Sequence, residues 1–213
     1  MAEGHRAPTD HERSDGLVEA LTRLDELAKH LRRECPWDRE QDERSIVPHT
    51  VEEAYELADA AHSGDDAKLL DELGDVLFQV YLLALLLEER GQGSLAEVAE
   101  HVREKLIRRH PHVFGDVEAD TAKDVVRTWN EIKRDDERGG AIFGEIPENL
   151  PSTLYAKKVL KRAESAGFRL DSEPADPGER LLAAVRAALD AGVDPELALR
   201  QAADRFKDEV DGA

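Results

Sequence analysis

The sequence predicts an all-α fold, and three observations carry that expectation. Leucine and alanine dominate the apolar residues, while aromatics make up only 5% of the chain. Apolar residues recur at three- and four-residue spacing, and strand-like alternation is hard to find. Glycine, proline and short polar clusters separate these periodic stretches. A length of 213 residues is enough for one or two domains with real cores.

Charge narrows the function. Asp and Glu number 48 against 29 Lys and Arg, for a net charge of −19 and a pI near 4.8. Such a surface excludes broad binding of a nucleic acid polymer, but not a nucleotide held by local basic residues. The single cysteine, Cys35, leaves no disulfide framework and points to a reducing cytoplasm. No apolar signal segment follows the N-terminal charges, and no run is long enough to span a membrane.

The elements follow in order. Residues 1–15 are polar and predict a disordered tail. Gly16 to Glu34 reads as a helix with Leu17, Leu21, Leu24, Leu27, Ala28 and Leu31 on one face. Cys35-Pro36-Trp37-Asp38 breaks it. Trp37 is either a core plug or a stacking surface for a base, and Asp38 can cap the next segment. Cys35 has no metal-ligand partner in register. From Thr50 to Leu87 two helices meet at the turn Ser63-Gly64-Asp65, as in an antiparallel hairpin. Val76 to Leu87 is apolar except for Gln79 and predicts burial on every side. One small chain can hardly cover such a helix, so an oligomer is expected. Gly74 suits a place where another backbone passes close.

A turn over Glu88 to Gly93 leads into a helix from Ser94 to about Arg109. Ser94 and Glu97 have capping-box spacing. Leu95, Val98, Ala99, Val102 and Leu106 are expected inward, and Pro111 stops the helix. Thr121 to about Arg138 is helical, with Val125, Val126, Trp129 and Ile132 along it. Gly139-Gly140 opens a linker over 139–151. Ser152 to Ala166 is helical and ends at Gly167. Ser172 to Gly178 is a second linker, before helices over Leu181 to Ala191 and Pro195 to Val210.

The hairpin carries the chemistry. Glu52, Glu53 and Glu56 fall within an arc of roughly 100° on the first helix, at about 100° per residue. Glu72 and Asp75 lie about 60° apart on the second. Carboxylates facing one another in a partly dry site raise each other's pKa, and a divalent cation removes that penalty. Oxygen-only ligands suit Mg²⁺ or Mn²⁺ better than zinc. The bland reading is a solvated face. On the first helix the acids lie opposite Val51, Ala54, Leu57, Ala58 and Ala61, and Thr50 with Glu53 fits a capping box. The acidic pattern arises by chance on the order of 0.1 times in so charged a chain. On the second helix the acids head a stripe that continues through Val76, Gln79, Leu82 and Leu83, so they point inward. Further on, Lys105, Arg108, Arg109, His110 and His112 form a basic cluster suited to a polyphosphate, although cations in a last helical turn also offset the macrodipole. Trp129 reads as core or as a nucleobase shelf.

Five motifs stand in unbroken order. They are Cys-Pro-Trp37-Asp, Glu52-Glu-x-x-Glu56, Glu72-Leu-Gly-Asp-Val-Leu-Phe-Gln79, Lys105-Leu-Ile-Arg-Arg-His-Pro-His-Val-Phe114 and Trp129-x-x-x-Lys133. Over Leu21 to Glu137 the chain resembles the MazG-type nucleoside triphosphate pyrophosphohydrolases. The resemblance implies a helical bundle that forms tight dimers, and Mg²⁺-dependent hydrolysis of nucleoside triphosphates to monophosphate and pyrophosphate. It places Glu53, Glu56, Glu72 and Asp75 on the metal ligands and Glu52 on the acid that orients or deprotonates water. Lys105 and Arg109 fall on positions that contact the triphosphate, and Trp129 falls near the nucleotide.

The expected domains are therefore a catalytic helical domain over 16–138 and a short second half over 152–213. Leu150 to Phe168 resembles the start of a second copy of the domain. No Glu-Glu-x-x-Glu with a following Glu-x-x-Asp appears after Gly178, and Glu209 stands where Arg109 stands in the first copy. The second half is expected to be degenerate and non-catalytic. Broad nucleotide-pool cleansing is the expected role of the whole. Alternatives are a narrow dUTP, dCTP or phosphoribosyl-ATP pyrophosphatase, or a helical scaffold with weak turnover.

Overall fold

The computed structural model of the chain describes residues 10–138, 142–170 and 173–212. Every regular element among them is a helix, as the periodicity predicts. The first nine residues of the expected tail, the Gly139-Gly140 break and Ser172 lie outside the described residues. The remainder of that tail is already helical. α1 runs Asp10–Glu34, six residues ahead of the expected start. No breaker separates Asp10 from Gly16, and acids near a helix start favour it.

The short helix α2, Pro36–Glu40, follows with Pro36 in its first turn and Cys35 at its cap. Trp37 is 52% exposed and meets His49 edge-on at 6.1 Å, so it is not a core plug. The buried residue of this corner is Asp38. It does not cap the next helix, because Asp42 does. The Asp42 side chain accepts from Ser45 N, and Ser45 Oγ accepts from Asp42 N, closing a capping box. α3 therefore spans Glu43–Ser63 with Pro48 inside it. Thr50 lies in mid-helix, its hydroxyl donating to Ile46 O at 3.3 Å, and caps nothing. Gly64, at φ 72°, ends α3. Asp65 then caps α4, Asp66–Glu89, by accepting from Ala67 N and Lys68 N.

α3 packs against α4, and α1 packs against both α2 and α4. The inner stripe of α4 is Glu72, Gln79, Leu82 and Leu86, all buried. Tyr81 turns toward α1 and donates to Leu21 O at 3.4 Å. Arg32 ties α1 to the end of α4 by a two-pronged pair with Glu89, at 2.8 and 2.9 Å. It also donates to the carbonyls of Asp38 and Gln41.

Three expectations about faces are corrected here. The side of α3 turned inward is Ile46, Glu53, Leu57 and Ala60, whereas Val51, Ala54 and Ala61 are exposed. Ile46 and Ala60 are each 1% exposed on that side. α4 is not buried all round: Leu70, Leu73, Leu77 and Val80 form an exposed stripe, because α1 and α3 cover only part of it. Gly74 shares that open side, and a Cβ there would meet nothing within 4 Å. On α1, Leu17 and Leu27 are exposed, while Leu21, Leu24, Ala28 and Leu31 point inward.

α5, Leu95–Arg109, starts with Ser94 Oγ accepting from Glu97 N at 3.3 Å. Among the described residues Val98, Val102 and Leu106 of its expected inward stripe are exposed, and Arg109 is its buried residue. α6, Pro111–Phe114, and α7, Ala122–Arg138, follow. Thr121 and Asp124 close a capping box at the start of α7. The chain divides into two compact units between Glu104 and Lys105, inside α5. The first turns of α5 line a groove with Leu21 of α1 and Leu77 of α4. Its last turn packs on Trp129 of α7.

Later in the second unit α8, α9 and α10 pack on one another. They span Ser152–Ser165, Pro177–Asp190 and Pro195–Asp211. α9 begins four residues before the expected Leu181, because Asp176 accepts from Glu179 N and Pro177 is preset for the first turn.

Candidate active site

The α3–α4 seam brings carboxylates together. One oxygen from each of Glu53, Glu56 and Glu72 lies within 4.8 Å of the others. Glu72 is 8% exposed, and its Oε2 is buried with no hydrogen-bond partner. Glu53 is half-buried on the inner side of α3, and Glu56 is exposed at the edge of the seam. Register explains the meeting. The tight turn at Gly64 sets the two helices antiparallel, so acids upstream of the turn face acids downstream of it.

Electrostatics describes the same cluster. Burial pushes the Glu53 carboxyl above the usual range, and the charges of Asp75, Glu56, Glu72 and Glu52 push it further. Burial likewise raises Glu72, helped by Glu56, Asp75 and Asp71 and opposed by Lys68. Asp75 is exposed and is not one of the three that converge within 4.8 Å. Even so, its charge is the strongest neighbouring charge on Glu53. Glu52 stands at the rim, its Oε2 3.9 Å from His49 Nδ1. A seam that gathers oxygen donors, leaves one buried oxygen unpartnered and resists ionisation fits a divalent cation.

Gln79 is the residue that sequence reading noticed without using. It is buried two turns beyond Glu72 on the same stripe, and its Oε1 is unpartnered. A lone amide in an apolar run was the signal.

The basic and aromatic candidates lie in the second unit. Lys105 is half-buried. Arg109 is 6% exposed, with its guanidinium carbon 5.5 Å from the centroid of the Trp129 ring. Trp129 is thus neither free shelf nor full core. His110 closes on it edge-to-face at 4.8 Å, and its Nδ1 donates to Leu106 O at 2.6 Å.

The α3–α4 hairpin gathers acids on its inner seam, and a cationic helix end follows it in the sequence. Comparison with known proteins gives that pattern a family. The model of the MazG nucleotide pyrophosphohydrolase domain matches residues 41–114. The nucleoside triphosphate pyrophosphohydrolase/pyrophosphatase MazG of Thermotoga maritima is 34% identical over 197 residues, covering 81% of this chain and 76% of that protein. The nucleoside triphosphate pyrophosphohydrolase of Escherichia coli is 39% identical over 137 residues. That match takes in 63% of this chain and 52% of the relative, so it spans about half the relative's length. A 26.1 kDa protein from the blaB 3' region of Streptomyces cacaoi is 39% identical over 88% of this chain and 80% of its own. The chain belongs to the MazG nucleotide pyrophosphohydrolase family, a family of hydrolases. The matched stretch takes in the acidic hairpin, Lys105 and Arg109, whereas Trp129 falls beyond it.

Proposed function

We propose that this protein hydrolyses nucleoside triphosphates to nucleoside monophosphate and pyrophosphate with Mg²⁺, for which Mn²⁺ can substitute, and that it accepts a broad range of bases. The observation that carries the reading is the convergence of Glu53, Glu56 and Glu72 around an unpartnered buried carboxylate oxygen. Glu53, Glu56, Glu72 and Asp75 would hold the cation. When bound, it lowers the pKa of a water and neutralises phosphate charge. Without it, the acids would repel a triphosphate outright.

The chain's own groups do the rest. Glu52, exposed at the rim, takes the proton of the attacking water. The water oxygen forms a bond to phosphorus, the bridge between the α- and β-phosphates breaks, and its electron pair leaves with pyrophosphate. Lys105 and Arg109 stabilise the charge that develops on the phosphate oxygens. Trp129 lies beside the nucleotide.

The working assembly in this reading is a homodimer or larger homo-oligomer. The uncovered stripe Leu70, Leu73, Leu77 and Val80 on α4 supports it, as do Val98, Val102 and Leu106 on α5. Light scattering on the wild type and on Leu73→Glu tests the point, with a monomer expected only for the variant. Cys35 fits a reducing cytoplasm, where nucleotide pools are found. No helix among the described residues is long and apolar enough to cross a membrane. Residues 16–138 would form the catalytic domain, with a non-catalytic half over 152–213 after the 139–151 linker.

Pyrophosphate release from canonical and damaged (deoxy)nucleoside triphosphates, with Mg²⁺ and with chelator, tests the whole. Chelator-sensitive release from several bases is expected. Release from a single base would replace the broad reading by a narrow dUTP, dCTP or phosphoribosyl-ATP enzyme. No release from folded protein would leave a scaffold.

A further inference from the structure

We propose that His110 is a positioning residue for the phosphate site: through the Trp129 ring it fixes where the Arg109 guanidinium points. The proposal rests on the pyrophosphohydrolase reading above, in which Arg109 meets the triphosphate.

The geometry is a stack of four groups. The Arg109 guanidinium lies 5.5 Å from the Trp129 ring centroid. The His110 ring stands against the same indole, 4.8 Å away and inclined by 64°. The His112 ring follows at 5.5 Å from His110, tilted by 55°. Arg109 sits at the end of α5, where a long side chain keeps many rotamers unless something holds it. A flat indole face supports a guanidinium through contact with the face and not through its N–H groups, and so biases the direction in which the fork points. An arginine oriented in advance loses less freedom when the ligand arrives.

The indole in turn needs a brace, because Trp129 comes from α7. His110 is built to be one. A carbonyl can only accept, so the 2.6 Å contact between His110 Nδ1 and Leu106 O fixes the proton on Nδ1 and locks the ring into the last turn of α5. His112 backs that ring while its own Nδ1 stays buried and unpartnered, a cost that folds tend to carry at working sites. The alternative is a purely structural one, in which His110 serves only to cap the end of α5.

Two variants separate these roles. His110→Asn keeps a donor for Leu106 O and removes the ring. His110→Phe keeps a ring edge for Trp129 and removes the donor. Positioning predicts that the Asn variant raises KM for nucleoside triphosphate about three- to tenfold, the range that an edge-to-face ring contact is worth. Its kcat stays near wild type, and the Phe variant retains the wild-type KM. Binding without turnover gives a second readout. In a Trp37→Phe background Trp129 is the sole tryptophan, and its emission follows titration with inorganic tripolyphosphate in Mg²⁺. The Asn variant is expected to bind more weakly by the same factor as KM rises. A wild-type KM in the Asn variant with a raised KM in the Phe variant would make His110 a helix cap and overturn the proposal alone. A wild-type protein that neither turns over nucleotide nor binds tripolyphosphate would remove the pyrophosphohydrolase reading, and the proposal with it.

Discussion

The hairpins α3–α4 and α9–α10 are built alike and furnished oppositely. Each turns at a left-handed glycine, Gly64 at φ 72° and Gly192 at φ 74°. Each restarts on an aspartate whose side chain accepts from two backbone N–H groups, Asp65 in one and Asp194 in the other. The difference is what they bury. In the unit of α9–α10, buried charges have partners. Arg186 pairs with Asp190 and Glu164, and Arg162 donates to the carbonyls of Phe143 and Glu145. Burial pushes Asp194 upward, but the hydrogen bond from Lys157 and those from the Leu197 and Glu196 N–H groups outweigh it and hold the carboxyl low. In α3–α4 the buried carboxylates face one another, and Glu53 and Glu72 are held high. Paired burial serves a fold, whereas like-charged burial without a partner costs stability unless a ligand arrives.

The largest test of that contrast is turnover. Glu72→Ala is expected to cut kcat by about 10² to 10³, the loss typical of one group stabilising transition-state charge. Glu19→Ala, on the exposed surface of α1, is expected to leave it unchanged. Pyrophosphate release assayed on both side by side checks this, and equal rates would return α3–α4 to the status of a solvated hairpin.

Next comes stability in the other hairpin's unit. Arg162→Ala removes charge-assisted bonds to two carbonyls and is expected to destabilise that unit by about 2–3 kcal/mol. Thermal or denaturant unfolding reads it, and Glu53→Gln measured in parallel should show no such loss.

The third test uses pH. A carboxyl held high in the fold keeps its proton to higher pH than it would in the unfolded chain. Stability of the metal-free protein from Glu53 and Glu72 is therefore greatest below the ordinary glutamate value near 4.5, and it falls as pH rises toward the raised folded values. A cation competes with those protons, so Mg²⁺ should raise Tm more at pH 8 than at pH 5. An equal shift at both values would take the cation away from this seam.

The smallest expected effect is at Gln79. Gln79→Leu removes an unpartnered buried amide and should stabilise the apo protein by about 1 kcal/mol in chemical denaturation. Loss of stability instead would mean that the amide has a partner in solution.

Local chemistry was legible where it acts within a few residues. The Ser63-Gly64-Asp65 turn, the Asp194-Pro195 helix start and the stop at Gly167 are all decided by φ preference and capping within one turn of chain. The MazG resemblance was equally legible, since its motifs are short and ordered. The start of α3 was less legible: the hairpin was expected from Thr50, and the capping box at Asp42 and Ser45 places the start at Glu43, upstream of Pro48. Faces were the least legible. α3 offers two apolar stripes, Val51-Ala54-Ala58-Ala61 and Ile46-Leu57-Ala60, and periodicity alone cannot choose between them.

By itself, then, the sequence determined the helical class, the turns and caps, and the five acids on two successive helices. Those follow from periodicity and from interactions that close within a turn. Tertiary packing decided that Glu53 turns inward while Asp75 stays exposed, that Trp37 stays out of the core, and that Arg109 is buried against Trp129. A helix shows all its faces in its sequence, but only the partner laid along it selects the one that loses water.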